Sequence, residues 1–133
     1  MPDTRPTILY EIAPPVTNAA LNELFKAAWP DYQWCDFTPI LAKSLSYVCA
    51  YQKNQLVGFV NMAWDGGIHA FILDTTVHPS VRRQGIGLAL VRQAAKVAQK
   101  QGVKWLHVDY EPHLTSFYRQ CGFKHTAAGL MAL

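Results

Sequence analysis

Apolar side chains near the start of the chain recur first with the period of a strand and then with that of a helix. Residues 8–12 form a short apolar run that predicts a strand. Residues 17–29 have apolar positions three or four apart, which predicts a helix that Pro30 ends. Its apolar face carries Leu21, Leu24, Phe25, Ala28 and Trp29. Thr38 and Pro39 suit the start of a second short helix. That helix bears Ile40, Leu41 and Leu45.

The middle of the chain has the two-residue period of strands. Residues 46–51 and 56–64 are separated by a short polar turn, so they predict an antiparallel hairpin. An Asp-Gly-Gly turn at 65–67 leads into a third strand over 69–77. Three consecutive antiparallel strands are therefore expected after the two helices.

A helix and a further strand follow. The helix begins near Ile86 and ends at Gly102, and residues 104–110 return as a strand. One face of the helix carries Ile86, Leu90, Ala94, Val97 and Ala98. Because a strand–helix–strand crossover joins parallel strands, 69–77 and 104–110 are predicted to be parallel neighbours. The pattern predicts an α/β (α+β) fold with a mixed, mostly antiparallel central sheet.

Composition limits the classes of protein to which the chain can belong. With 133 residues, of which 50% are hydrophobic and 16% charged, residues 1–133 are expected to form a single domain. The net charge of +3 is spread out, so no nucleic-acid partner is expected. Three cysteines without Cys-x-x-Cys spacing indicate neither a disulfide framework nor a metal site. This cysteine usage leads us to expect a cytoplasmic protein. No apolar run approaches the roughly 20 residues of a membrane span, so no membrane partner is expected.

The most distinctive segment joins the strand over 69–77 to the following helix. It contains Gly85 and Gly87 after the pair Arg82 and Arg83. Glycines allow close backbone approach and positive φ, and the first N–H groups of a helix point outward as anion donors. The segment is not a P-loop, because no Lys-Ser/Thr follows the second glycine. It is not a dinucleotide fingerprint either, because Leu90 stands where a third glycine is required.

A second segment, residues 111–123, predicts a short helix. Leu114, Phe117, Tyr118 and Cys121 fall on one apolar face, and Gly122 suits a left-handed cap. In this order and separation, the two segments resemble the acyl-coenzyme A loop and the later Phe-Tyr helix of the GNAT family of N-acetyltransferases. The resemblance covers about residues 45–133 well and the earlier residues only in outline.

The resemblance implies a GNAT fold with about four helices around the sheet and a coenzyme site. The strands 69–77 and 104–110 would splay apart and admit the pantetheine arm of acetyl-coenzyme A. The implied cofactor-binding residues are Thr76, Val77, Arg82, Arg83, Gln84, Gly85, Ile86, Gly87 and Leu88. The implied activity is transfer of an acetyl group from acetyl-CoA to a primary amine, by direct attack in a ternary complex. A small-molecule amine is the favoured acceptor.

Such a transfer requires a neutral amine, a stabilised oxyanion and a proton for the departing thiolate. Tyr118 matches the family's general acid, and a backbone N–H near Val77 would stabilise the oxyanion. Asp74 occupies an acidic position that many members of the family carry, so it is the candidate base. Phe71 and Ile72 stand where other members carry a glutamate base. That departure leaves open a water relay through Asp74, His107 or Glu111.

Two further features concern the acceptor. Glu111 replaces an asparagine that usually contacts the pantetheine, so it binds a cationic substrate or serves with Pro112 as a stiff connection. Trp29, Tyr32 and Trp34 lie close together in sequence and suit an alkyl chain, a cation or an aryl group. They equally suit a core seal or a contact in a homodimer, which the family often forms.

Two other classes of function stay open at the level of sequence. The fold can bind acyl-coenzyme A as a sensor or scaffold without turnover. The chain can also be a small α/β interaction module whose glycine loop is only structural.

Overall fold

The computed structural model describes residues 4–133. The strands are β1 (Ile8–Ile12), β2 (Ser44–Gln52), β3 (Gln55–Trp64), β4 (His69–Val77) and β5 (Trp105–His107). The helices are α1 (Asn18–Ala28), α2 (Thr38–Ala42), α3 (Ile86–Lys100) and α4 (Thr115–Cys121). Short 3-10 turns at Pro79–Val81 and Pro112–Leu114 precede α3 and α4. Residues 1–3 of the predicted single domain lie outside the described residues.

The five strands form one sheet in which spatial order follows chain order. Pairing is antiparallel from β1 to β4, and β4 pairs with β5 in parallel across the α3 crossover. Both the mixed sheet and the four flanking helices that the sequence predicts are confirmed.

Hydrophobic side chains form one core on each face of the sheet. On one face, Ile86, Leu90 and Ala94 of α3 pack against the strands. On the other face, Leu21, Leu24 and Phe25 of α1 pack with α2. The helical spacing of these residues puts them on one side of each helix, so burial of that side holds each helix on the sheet.

The first two helices are shorter than predicted. Trp29 is extended, with φ −117° and ψ 126°, and follows α1 rather than lying on its apolar face. Pro30 explains this, because the residue before a proline avoids the helical conformation. Leu45, predicted in α2, lies in β2 instead. The Ser44 hydroxyl donates to the Ile40 carbonyl at 3.1 Å, which closes α2 and lets the strand begin at Ser44.

The strand predicted over 104–110 is also too long. β5 contains only Trp105–His107, and its pairing with β4 stops at Phe71 opposite His107. Beyond this point β4 bends at a bulge, so the chain after His107 loses its hydrogen-bonding partner. No helix within residues 4–133 combines the length and apolar character needed to span a membrane.

Candidate active site

A split between β4 and β5 is the central feature of the candidate site. The two strands pair only from His69 opposite Trp105 to Phe71 opposite His107. From Ile72 onward, β4 pairs within the described residues only with β3. The last part of β4 therefore has a free backbone edge that a ligand of extended shape can follow.

A bulge in β4 redirects the side chains along this free edge. Phe59 of β3 pairs with Thr76 and Asn61 pairs with Leu73, so β4 carries one extra residue. Asp74 at the bulge is left-handed, with φ 58°. Because the extra residue reverses the alternation, Ile72 and Val77 both face the α3 side although five positions separate them.

The two threonines after Asp74 differ in their hydrogen bonding. The Trp29 indole donates to Thr76 Oγ1 at 3.2 Å, and this hydroxyl donates to the Asp74 carbonyl at 2.9 Å. Thr76 is thereby fixed under α1. Thr75 Oγ1 is shielded from solvent and finds no hydrogen-bond partner among the described residues. A buried hydroxyl without a partner is unusual and needs an explanation.

The loop before α3 forms an open anion-binding cradle. Gly85 is left-handed, with φ 78°, and the first bond of the helix runs from the Ala89 N–H to the Gly85 carbonyl at 3.1 Å. The N–H groups of Ile86, Gly87 and Leu88 therefore have no acceptor inside the helix. A Cβ at Gly85 would meet no atom of the described residues within 4 Å. The cradle thus has both the donors and the space for a phosphate group.

Gly87 serves the packing of α4. A Cβ at this position would lie 3.2 Å from Phe117 Cζ and 3.7 Å from Val77 Cγ2. That separation from Phe117 is tighter than ordinary van der Waals contact. The glycine therefore lets the Phe117 ring approach the start of α3.

The arginines and Gln84 have separate surroundings. The Arg82 guanidinium donates to the Ala28 carbonyl at 3.2 Å and ties the loop to the end of α1. Arg83 is exposed and left-handed, with φ 63°. Gln84 borders a shallow cavity of about 390 Å³. The other residues lining that cavity are Arg5, Pro6, Thr7, Ile8 and Tyr10.

Tyr118 is held among aromatic rings. Only 7% of the residue is exposed. Its ring stacks on Tyr110 at 4.8 Å between centroids, and it meets Phe117 and Phe123 edge-on at 4.9 and 5.9 Å. Burial raises the pKa of the Tyr118 phenol, while the nearby Thr75 side chain acts to lower it. The phenol is accordingly protonated at neutral pH and able to act as an acid.

Asp74 lies close enough to Tyr32 to affect the pKa of its phenol. Asp74 keeps solvent access, but partial burial of its carboxyl group raises its pKa above the ordinary value. For Tyr32, burial raises the pKa of the phenol, and the negative charge of Asp74 adds to the rise. A carboxylate with a raised pKa is a better proton acceptor than an ordinary aspartate.

The residues predicted to bind the acceptor are only partly brought together. Trp29 and Tyr32 lie near Thr76 and Asp74, respectively. The Tyr32 hydroxyl donates to Asn22 Oδ1, so it also fixes the loop between α1 and α2. Trp34 is 67% exposed.

The other acceptor and base candidates lie on the β5 side. Glu111 is exposed and immediately precedes the 3-10 turn that leads into α4. His107 lies at the closed end of the split. There its Nε2 is 2.9 Å from His69 Nδ1, and its ring stacks on Phe71 at 4.6 Å.

A split sheet, a glycine cradle and a buried tyrosine match one protein family. The family model described as "Acetyltransferase (GNAT) family" matches residues 9–123. The chain belongs to the GNAT acetyltransferase family. The resemblance seen in the sequence is thereby confirmed.

Similar sequences cover only part of this GNAT chain. It is 36% identical over 66 residues to the mycothiol acetyltransferase of Mycolicibacterium vanbaalenii, a match covering 50% of this chain and 22% of that protein. It is 33% identical over 58 residues to a rice protein named "Probable glucosamine 6-phosphate N-acetyltransferase 2", covering 44% of this chain and 35% of that one. The chain thus spans well under two thirds of the length of these curated relatives.

Solved structures share the whole GNAT fold. A GNAT family protein of Streptococcus pneumoniae TIGR4 superposes with a TM-score of 0.77 at 24% identity, covering 96% of this chain and 98% of that one. Aminoglycoside N-acetyltransferase AAC(6')-Iy, solved in complex with CoA, superposes with a TM-score of 0.78 at 18% identity. This match covers 100% of this chain and 98% of that one. At these identities the likeness shows the fold.

The described residues fit a coenzyme A molecule. The cradle at Gly85 is open, and the edge of β4 is free. Among residues 4–133, no group of three or more His, Cys, Asp or Glu side chains is arranged to hold a metal ion.

The sequence reasoning missed three residues at this GNAT site. Arg5 lies near Gln84 only because β1 brings it there, so no local pattern identifies it. Tyr110, which stacks on Tyr118, was included in a strand. Thr75 could have been found from the sequence, because the polar run at 74–76 interrupts the alternation of a strand and indicates a bulge.

Proposed function

We propose that the chain, as one domain over residues 1–133, is an acyl-CoA-dependent N-acetyltransferase. It transfers an acetyl group from acetyl-CoA to a primary amine by direct attack in a ternary complex. The observation that carries this proposal is the split between β4 and β5, with an anion cradle at Gly85 and a buried, protonated phenol at Tyr118. A donor thioester and an acid for its leaving group can meet there.

The coenzyme site is proposed on the free edge of β4 and the start of α3. Backbone groups at Thr76 and Val77 would bond the pantetheine amides, as an added strand would. The N–H groups of Ile86, Gly87 and Leu88 would bind the pyrophosphate. Family membership and the CoA complex of AAC(6')-Iy, which has the same fold, support coenzyme A as the ligand.

Arg82, Arg83 and Gln84 would border the coenzyme at the loop. Arg82 holds the loop against α1, so its contribution is mainly to shape. Arg83 and Gln84 are solvent-accessible and next to the cradle. Their side chains would contact the nucleotide end of the coenzyme.

The proton movements are assigned to Tyr118 and Asp74. Tyr118 would give its phenolic proton to the sulfur as the C–S bond breaks, because burial keeps that proton in place until then. Asp74 would take a proton from the amine, directly or through water, because its raised pKa makes it a stronger base. His107 contacts His69 and Phe71, and Glu111 lies beyond β5. Asp74 is therefore preferred over both as the base.

The acceptor is proposed to be a small-molecule amine bound near Trp29, Tyr32 and Asp74. An aromatic surface next to a carboxylate suits an amine that arrives as a cation and is then deprotonated. Trp34 and Glu111 are exposed and would contact larger acceptors. Aminoglycoside acceptors in AAC(6')-Iy and its relative from a soil sample are consistent with this class.

The direct test is a screen of acetyl-CoA consumption over a broad panel of amines, read by release of free thiol. We expect one amine class to give turnover well above the rate without acceptor. A second measurement, the melting temperature with coenzyme A, separates binding from catalysis. At 100 times its Kd, a ligand stabilises the folded state by about 2.7 kcal/mol.

The two measurements together distinguish the alternatives. Coenzyme A binding without turnover on any amine would indicate a catalytically silent acyl-CoA-binding sensor or scaffold. Absence of a shift in melting temperature at saturating coenzyme A would refute both proposals and leave an interaction module.

A further inference from the structure

Thr75 is a half-buried residue whose hydroxyl the roles assigned so far do not use. Its hydroxyl oxygen is shielded from solvent, yet it has no hydrogen-bond partner within residues 4–133. The neighbouring Thr76 accepts from Trp29 and donates to the Asp74 carbonyl. Because the Thr76 hydroxyl both accepts and donates a hydrogen bond and the Thr75 hydroxyl does neither, the two threonines have different roles. Thr76 holds the structure together, whereas Thr75 is available.

The backbone directs the Thr75 side chain away from Thr76. Asp74 adopts φ 58°, which costs energy for any residue with a Cβ, and β4 carries its extra residue here. The bulge puts Thr76 on the α1 side and Thr75 on the side of the split where Tyr118 lies. Strain kept at one position of a strand is typical of functional sites.

The Thr75 hydroxyl lies close enough to the Tyr118 phenol to lower its pKa, although the two form no hydrogen bond in the free protein. The contacts of the Tyr118 ring are the aromatic rings of Tyr110, Phe117 and Phe123. Burial raises the pKa of the phenol, and the nearby Cys121 and Asp109 raise it further. Thr75 is the described side chain that lowers it. A phenol in apolar surroundings is a poor acid unless a donor stabilises the phenolate that it leaves behind.

We propose that Thr75 is a positioning residue whose hydroxyl, unpaired in the free protein, donates a hydrogen bond to the Tyr118 oxygen as the phenol loses its proton. This inference rests on the proposed function. In the transfer, the amine nitrogen bonds to the acetyl carbon, the C–S bond breaks and the electron pair goes to sulfur. The Tyr118 proton passes to sulfur, and Thr75 Oγ–H stabilises the phenolate until water returns a proton. Asp74 accepts the amine proton.

The test compares Thr75→Val, which keeps the shape and removes the hydroxyl, with Thr75→Ser, which keeps the hydroxyl. The first readout is the ultraviolet titration of Tyr118 in the protein without ligands, taken as the difference from Tyr118→Phe. We expect the Tyr118 titration to move to higher pH in Thr75→Val and to stay near wild type in Thr75→Ser. An unchanged titration in Thr75→Val would overturn the proposal.

The second readout is kinetic. A hydrogen bond to a charged group supports a drop in kcat of about 10- to 100-fold in Thr75→Val. The KM for acetyl-CoA should be nearly unchanged, and Thr75→Ser should restore most of the rate. In the Tyr118→Phe background, Thr75→Val should have no further effect, because it acts through the phenol. Equal losses in Thr75→Val and Thr75→Ser would instead indicate a packing role and overturn the proposal.

Stability separates this role from a structural one. Because the Thr75 hydroxyl is unpaired in the free protein, its removal should leave the melting temperature unchanged or raise it. A structural hydroxyl would give a lower melting temperature. If the wild-type protein acetylates no amine, the proposed function fails, and the titration still decides whether Thr75 acts on Tyr118.

Discussion

Gly85 and Gly102 allow a controlled test of the coenzyme cradle. Both glycines are left-handed, with φ 78° and 90°, and a Cβ at either would meet no atom of the described residues within 4 Å. They lie at opposite ends of α3, one before its first residue and the other after its last. A change to alanine therefore imposes the same kind of backbone strain at both positions, but only Gly85 lies in the proposed site.

The expected loss of stability follows from the backbone conformation. A left-handed residue with a Cβ costs about 1–2 kcal/mol, so Gly85→Ala and Gly102→Ala should lower the free energy of unfolding by similar amounts. In a domain of this size, that loss corresponds to a decrease of roughly 3–8 °C in melting temperature. Thermal unfolding of both variants without ligand checks this equality.

Binding of coenzyme A should separate the two variants. The methyl group of Gly85→Ala would enter the open space beside the N–H groups at the start of α3, where the pyrophosphate is proposed to bind. At a coenzyme concentration of 100 times the wild-type Kd, stabilisation is about 2.7 kcal/mol, and a tenfold weaker variant would gain only about 1.4 kcal/mol. Gly102→Ala should keep the full wild-type gain.

The contrary result is equally clear. If Gly85→Ala and Gly102→Ala lose equal stability and gain equally from coenzyme A, the loop before α3 does not hold the pyrophosphate. Isothermal titration calorimetry gives the Kd of each variant independently of its melting temperature.

Three further predictions concern the chemistry. Tyr118→Phe should lower kcat about 10- to 1000-fold with little change in acetyl-CoA affinity, and wild-type turnover in this variant would remove Tyr118 as the acid. Asp74→Asn should abolish the acidic limb of the pH–rate profile. Asparagine tolerates the left-handed backbone, so the variant should fold. If the pH–rate profile of Asp74→Asn coincides with that of the wild type, Asp74 is not the base. Because the pKa of Asp74 is raised in the folded state, its ionisation reduces stability as pH rises from its ordinary value through the raised one. Asp74→Asn should therefore raise the melting temperature at neutral pH and not in strong acid. Gly87→Ala should displace Phe117 and lower kcat more than it weakens coenzyme binding, whereas a change confined to coenzyme affinity would refute that packing role.

Local chemistry determines the parts of the site that the sequence predicted. The left-handed caps at Gly85 and Gly122 follow from the lack of a Cβ, and both have positive φ. The parallel crossover follows from the order of strand, helix and strand, and β4 and β5 pair as expected. Tyr118 is buried on the predicted helix because apolar spacing directs it inward.

Long-range contacts determine the rest. Pattern alone extended β5 to residue 110, but a strand ends where its partner bends away, and that bend lies at Asp74 in another element. The sequence assigned Gly87 only a ligand contact, but α4 brings Phe117 to 3.2 Å from the position of a Cβ, so Gly87 also serves packing. Arg5 borders the cavity beside Gln84 although 79 positions of sequence separate them.

By itself, the sequence determined the family, the order of the elements and the position of the glycine loop before α3, because these depend on neighbouring residues and on periodicity. Only the tertiary structure decided where the sheet splits, which threonine hydroxyl is left without a partner among the described residues and which glycine serves packing. Those features depend on one extra residue in β4 and on contacts between elements far apart in the chain, and no local pattern carries that information.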